Sequence, residues 1–103
     1  MAIFAQNVGV ISQTVYTSSG DTAVTMLSLC NHDAGLVTVD VHLVPQGGGA
    51  STSNLILSSL EIVADDSYVI NEKIFLETGD FIVVAVIIGD INKVSAVTSY
   101  VAL

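Results

Sequence analysis

Polar, turn-forming clusters divide the chain into apolar segments of strand length. The clusters are TSSGD at 17–21, NHDAG at 31–35, VPQGGGASTSN at 44–54, ADDS at 64–67, ETGD at 77–80 and GDIN at 89–92. The segments between them are rich in Val, Ile, Thr, Leu and Tyr, residues that fit a pleated, half-buried surface. This spacing predicts seven strands, at about 8–16, 22–30, 36–44, 54–63, 68–76, 81–88 and 93–102. LVTVDVHLV at 36–44 is the clearest, with Val37, Val39, Val41 and Leu43 on one face and Thr38, Asp40 and His42 on the other. That period of two marks a strand with one buried face.

FIVVAVII, Phe81 to Ile88, differs because it is apolar on both faces. The outer face of an antiparallel sheet ordinarily meets water, so this pattern predicts a neighbouring subunit on the second face. KVSAVTSYVAL at 93–103 alternates Val94, Ala96, Thr98 and Tyr100 against Ser95, Val97, Ser99 and Val101, and is expected to pair with FIVVAVII through the GDIN turn. In NLILSSLEIV at 54–63 neither period fits cleanly, which predicts a bulge or turn at Ser58 and Ser59. Helical signals are poor throughout. The fold class is therefore all-β: an antiparallel β-sandwich of about seven to eight strands, jelly-roll-like or immunoglobulin-like. Residues 1–103 form a single domain, with 1–7 read as an extended N-terminal arm.

Charge constrains the surroundings of this chain more than length does. Apolar residues make up 51% of the chain and charged residues 12%, against about 25% charged in soluble domains. So few charges on a small domain imply that part of its exterior is covered by copies of itself or by partners. Ten acidic residues against Lys73 and Lys93, with no arginine, give a net charge of −8. Nucleic acid is thereby an unsuitable partner, since backbone binding needs clustered Lys or Arg, and an anionic membrane surface is unsuitable for the same reason. FIVVAVII is far too short to span a bilayer, and the N-terminal MAIFAQNVGVI does not read as a signal peptide. Cys30 stands alone, which excludes an internal disulfide and fits a reduced compartment.

No constellation of residues points to catalysis. A phosphate-binding loop of the Walker type needs a lysine and a hydroxyl directly after its glycines. Gly47, Gly48 and Gly49 are followed instead by Ala50, Ser51 and Thr52. The loop then reads as a connection, long enough for a crossing between sheets or an arm that reaches a neighbouring subunit. Cys30, His32, Asp33 and His42 have side chains that bind zinc, but their spacing matches no metal motif. Cys30 as a nucleophile would need an electropositive setting, which an acidic chain does not offer. Asp65, Asp66, Glu77, Asp80 and Asp90 lie at turns and supply oxygen ligands for calcium without a defined calcium loop, so they read as solvated turn carboxylates. No catalytic, cofactor-binding or metal residue is assigned, and no cofactor is expected.

Three stretches carry a resemblance to a known group: VTMLSLCNHDAGLVTVDVHLVPQGGGASTSNLI, YVINEKIFLETGDFIVV and VSAVTSYV, together spanning about 20–102. The chain resembles small all-β virion structural proteins of tailed bacteriophages, including cyanophages. In that group a strand ending in a small residue and Asn, here Cys30 and Asn31, leads to a VTVDV-like strand, here Val37 to Val41. A Gly/Ser-rich loop follows, here Gly47 to Ser53, and an acidic, Gly, Asp turn at Leu76 to Asp80 introduces the last hairpin. The resemblance implies a virion location and a non-enzymatic role, foremost a head decoration or cement protein acting as a homotrimer on the major capsid protein. A tail, neck or baseplate component that connects a fibre is the alternative. A carbohydrate-binding module is a second one, weakened because such modules use exposed aromatics. This chain has no Trp and only Phe4, Phe75, Phe81, Tyr16, Tyr68 and Tyr100, of which Phe75, Phe81 and Tyr100 fall near the predicted last hairpin.

Overall fold

The structure, a computed structural model, describes residues 2–103. Among the described residues nine strands make two antiparallel sheets: β1 (Ala2–Asn7), β2 (Ser12–Thr17), β3 (Thr22–Asn31), β4 (Val37–Val44), β5 (Leu55–Ile62), β6 (Ser67–Ile70), β7 (Ile74–Leu76), β8 (Phe81–Ile88) and β9 (Val94–Ala102). A single 3-10 turn, Thr52–Asn54, precedes β5. One sheet runs β1-β9-β3-β6 with β7 also on β3, and the other runs β2-β8-β4-β5.

This order follows from one rule of pairing. Strands β6 and β7 lie on the same edge of β3, at Leu27–Cys30 and Thr22–Val24 respectively, so they are two halves of one interrupted strand. With them joined, the chain pairs end to end: β1 with β9, β2 with β8, β3 with β6/β7 and β4 with β5, all antiparallel. A long hairpin rolled up so that its pairs alternate between two sheets is a jelly roll. Of the two sandwich types expected, the strand order is therefore the jelly roll.

Valine dominates the core because a β-branched side chain stands well on a pleated sheet. Val39 lies opposite Val86 and Leu60, and Val41 opposite Val84 and Leu57. From the other sheet Val24, Leu27, Leu29, Val94 and Ala96 meet them. The inward faces read from LVTVDVHLV and VSAVTSYV are the observed ones, with Val37, Val39 and Val41 fully buried and Val94, Ala96 and Thr98 likewise. The single buried face expected of these strands is not observed, because Thr38, His42 and Ser99 on the other face are buried as well. Ser58 and Ser59 form the expected bulge. Both stand opposite Asp40, Ser59 takes φ 51°, and its N–H donates to Asp40 Oδ1 at 2.7 Å.

Four expectations are corrected. Residues 2–7 are an edge strand in regular register with β9, from Ala2 opposite Tyr100 to Asn7 opposite Ser95, and not an arm. The strand expected at 8–16 begins only at Ser12, because Val8 is drawn into the core, where its N–H bonds Val94 and its carbonyl Asn92. The segment at 68–76 breaks at Asn71–Lys73, which together with β1 raises the count from seven to nine. Finally, β9 does not pair with β8: the GDIN turn crosses between sheets, so the last two strands face each other through the core. Local alternation cannot tell a hairpin from such a crossing, since each strand buries one face in either case.

Thr98 is fully buried between the sheets, and its hydroxyl has no hydrogen-bond partner among the described residues. An unpaired buried hydroxyl costs about 1–3 kcal/mol, and valine has nearly the same shape. Thr98→Val is expected to stabilise the protein by about 1 kcal/mol in urea unfolding.

Candidate interaction surface

Several of the residues weighed for chemistry, Asp33, His42, Asp66 and Asp80, hold turns and loops through side-chain hydrogen bonds. Asn31, fully buried at the end of β3, donates from Nδ2 to Gly35 O at 2.9 Å and Ile62 O at 2.8 Å, while its Oδ1 accepts from Asp33 N at 2.9 Å. CNHD is thus a clamp between the β3–β4 connection and the end of β5. His32 is exposed and Cys30 half-buried, and His42 lies on the next strand's outer face. Asp33 caps Ala34 N, Asp66 caps Ser67 N, and Asp80 accepts from both Gln46 N and Glu77 N at 3.0 Å. Among the described residues no three His, Cys, Asp or Glu side chains come together as a metal cluster.

The glycine-rich loop is closed on its own sheet. It joins β4 to β5, neighbours in one sheet, and so does not cross between sheets. Nδ1 of His42 meets Ser51 O at 3.0 Å and Asn54 Oδ1 at 2.9 Å. Asn54 Nδ2 donates to Gly49 O at 2.9 Å, which leaves its Oδ1 as an acceptor. Both partners of Nδ1 are acceptors, so that nitrogen carries the proton. A further bond, Gly48 N to Pro45 O at 2.9 Å, turns the loop at its start. The loop is thereby pinned at the tip of the rolled hairpin instead of extending as an arm.

What the strands leave outside is more informative. All twelve charged side chains lie at or beyond Asp21, and residues 2–20 carry none. The five strands of the β1-β9-β3-β6/β7 sheet also contain no charged residue, whereas the other sheet holds Asp40 and Glu61. On the outer face of the uncharged sheet the register sets Phe75, Ala23 and Val101 in one cross-strand row and Val69, Ser28, Val97 and Ala5 in another. Phe75 is 69% exposed and Ile3 70%. A second apolar region lies at one end of the sandwich, where Ile11 O accepts from Val86 N and Gly89 packs near Val37. Val10, Ile11, Leu36, Ile87, Ile88 and Ile91 are all exposed there. The total accessible surface, 5363 Å², matches the about 5,500 Å² expected for a folded chain of this mass. The exposed apolar area therefore comes from composition and not from loose packing.

The outer face of β8 is partly covered by its own chain. Val83, flanked in register by Thr14 and His42, is buried, and only Ile87 and Ile88 at the strand's end stand free. Of the three aromatics expected near the last hairpin, Tyr100 alone joins the aromatic cluster that the described residues form. Phe4 meets Tyr16 edge-on at 6.0 Å, and Tyr16 meets Tyr100 at 4.8 Å between ring centroids. These three, with Thr14, Thr17 and Ser19, line an uncharged cleft of about 270 Å³ between the β1 and β2 edges. Comparison of the chain with protein-family models, with curated proteins and with solved structures finds no match.

Sequence reasoning missed β1 and with it this uncharged flank. The signal was present in the twenty residues without a charge that open the chain. AIFAQN alone is too short and too weakly alternating to announce a strand. Asn31→Asp is expected to destabilise the fold by roughly 3 kcal/mol in denaturant unfolding, because the buried carboxylate oxygen replacing Nδ2 would face the Gly35 and Ile62 carbonyls with nothing to donate. An unchanged midpoint would show that the clamp is dispensable.

Proposed function

We propose that the protein is a non-enzymatic structural component of a particle, a homo-oligomer that works by burying apolar surface against copies of itself and against a shell. The observation that carries this reading is the five-stranded sheet without a charged residue in a chain of net charge −8. An outer sheet face meant for water would carry charge, as the opposite sheet does with Asp40 and Glu61. Exposed apolar side chains on such an uncharged face, here Ile3, Val69, Phe75 and Val101, mark contacts with other proteins.

The sequence resemblance makes the particle concrete: a tailed-phage virion, with a head decoration or cement role as a trimer on the major capsid protein. The jelly roll supports it by analogy only, because that architecture serves viral shells and also lectins and other proteins. Cementing needs no catalysis. A protein that binds the assembled lattice and not free subunits stabilises the lattice by mass action. Attachment at a tail, neck or baseplate would use the same surfaces. Purified protein is expected to co-sediment with capsids lacking decoration and raise their thermal stability, and Phe75→Asp is expected to weaken that binding at least about tenfold. Absence of co-sedimentation with both heads and tails would refute the virion reading.

The cleft of Phe4, Tyr16 and Tyr100 favours a second reading, carbohydrate binding. An aromatic ring and several hydroxyls on an uncharged wall suit a neutral sugar. Binding on a glycan array that is lost in Phe4→Ala would promote it over the structural role.

A further inference from the structure

A jelly roll leaves four edge strands, and three of them here carry features that discourage pairing with another chain. Strand β2 is bulged at Val15 between Thr14 and Tyr16. Strand β5 holds the Ser58–Ser59 bulge and Glu61. The β6/β7 edge is interrupted by Asn71–Lys73, which includes two charges. Bulges, charges and short edge strands are the usual protection of a sheet edge. Strand β1 has none of these: six residues in unbroken register with β9, no charge, no proline, and Ile3 and Phe4 exposed. Its outward N–H and C=O groups form an open hydrogen-bonding edge.

We propose that β1 pairs antiparallel with β1 of a second copy of this chain, joining two five-stranded sheets into one of ten strands. This deepens the self-association part of the proposed function and is independent of which particle the oligomer joins. Charge selects the occupant. Two copies each at −8 repel, and residues 2–20 are the flank on which they can meet without facing carboxylates. Register selects the geometry. A twofold axis normal to the sheet keeps inner and outer faces aligned and pairs each residue i with 2c − i, where c is the residue on the axis. Centred on Phe4, it sets Phe4 against Phe4 and Ile3 against Ala5, all apolar. Centred on Ala5, it would set Phe4 against Gln6 and Ile3 against Asn7.

The contact is small. A six-residue strand is about 20 Å long and the molecule's shortest extent is 20 Å, so a side-by-side contact covers about 800 Å² in total, below the about 1,200–2,000 Å² of stable complexes. It forms at high local concentration. Being isologous, it joins copies two at a time, and in a trimer-based assembly it links one trimer to the next.

Disulfide trapping and sedimentation test it on the full chain. In a Cys30→Ser background, Phe4→Cys is expected to oxidise mainly to a covalent dimer at high concentration, since directly opposed Cα atoms stand about 4.5–5.5 Å apart, within disulfide reach. Asn7→Cys is expected to stay monomeric, because that register holds the two positions about 20 Å apart. Separately, the weight-average mass of the unmodified chain is expected to rise between micromolar and millimolar concentration. Ile3→Glu with Ala5→Glu, both on the solvent face, is expected to weaken that association at least about tenfold while far-UV circular dichroism is unchanged. Equal trapping at both cysteine positions, or association untouched by the double variant, would overturn the β1 contact and leave self-association through another surface standing. A chain that stays monomeric at every concentration would overturn both.

Discussion

The pairing of the chain's two halves in reverse order governs the rest of the structure. Because β1 meets β9, β2 meets β8 and β4 meets β5, each sheet takes strands from both ends of the sequence. The four central strands, β3, β9, β4 and β8, then have partners on both sides, and their valines and leucines close the core. The ends of this rolled hairpin have defined roles. At its tip lies the glycine-rich loop, tied to His42. At its open end lies β1, paired on one side only.

Much of this was legible in the sequence. The alternation of Val37, Val39 and Val41 gave a face, and the Ser58–Ser59 pair gave a bulge, because both depend on side chains a few residues apart. What was not legible depends on distant partners. The GDIN turn reads as a hairpin from its length and composition, yet it crosses the sandwich, since β9 finds β1 and β3 more than sixty residues away. The N-terminal AIFAQN becomes a strand only because β9 offers it a matching edge. For the loop VPQGGGASTSN, the missing lysine removed the phosphate reading from sequence alone. Its closure on the sheet required His42, Ser51 and Asn54 to be seen together.

The surface was legible in quantity but not in place. Twelve charges in 103 residues leave much of the surface uncharged. Folding adds that those charges are segregated. The carboxylates of Asp33, Asp40, Asp66 and Asp80 each accept backbone N–H groups at turns and bulges, so they serve the fold as well as solubility. The β1 flank and the sheet behind it are left without any. The apolar second face of FIVVAVII, expected to mark a subunit contact, is half covered by Thr14 and His42 of its own chain. The uncharged face lies on the other sheet.

Self-association as proposed requires that the uncharged sheet and its β1 edge be covered when copies of the protein meet. Amide hydrogen exchange, followed residue by residue at low and at high protein concentration, tests this most directly. The account predicts that protection rises with concentration along Ala2–Asn7, while the bulged edge Leu55–Ile62 exchanges at an unchanged rate. Exchange along Ala2–Asn7 that is independent of concentration, with protection appearing instead at Leu55–Ile62, would contradict it.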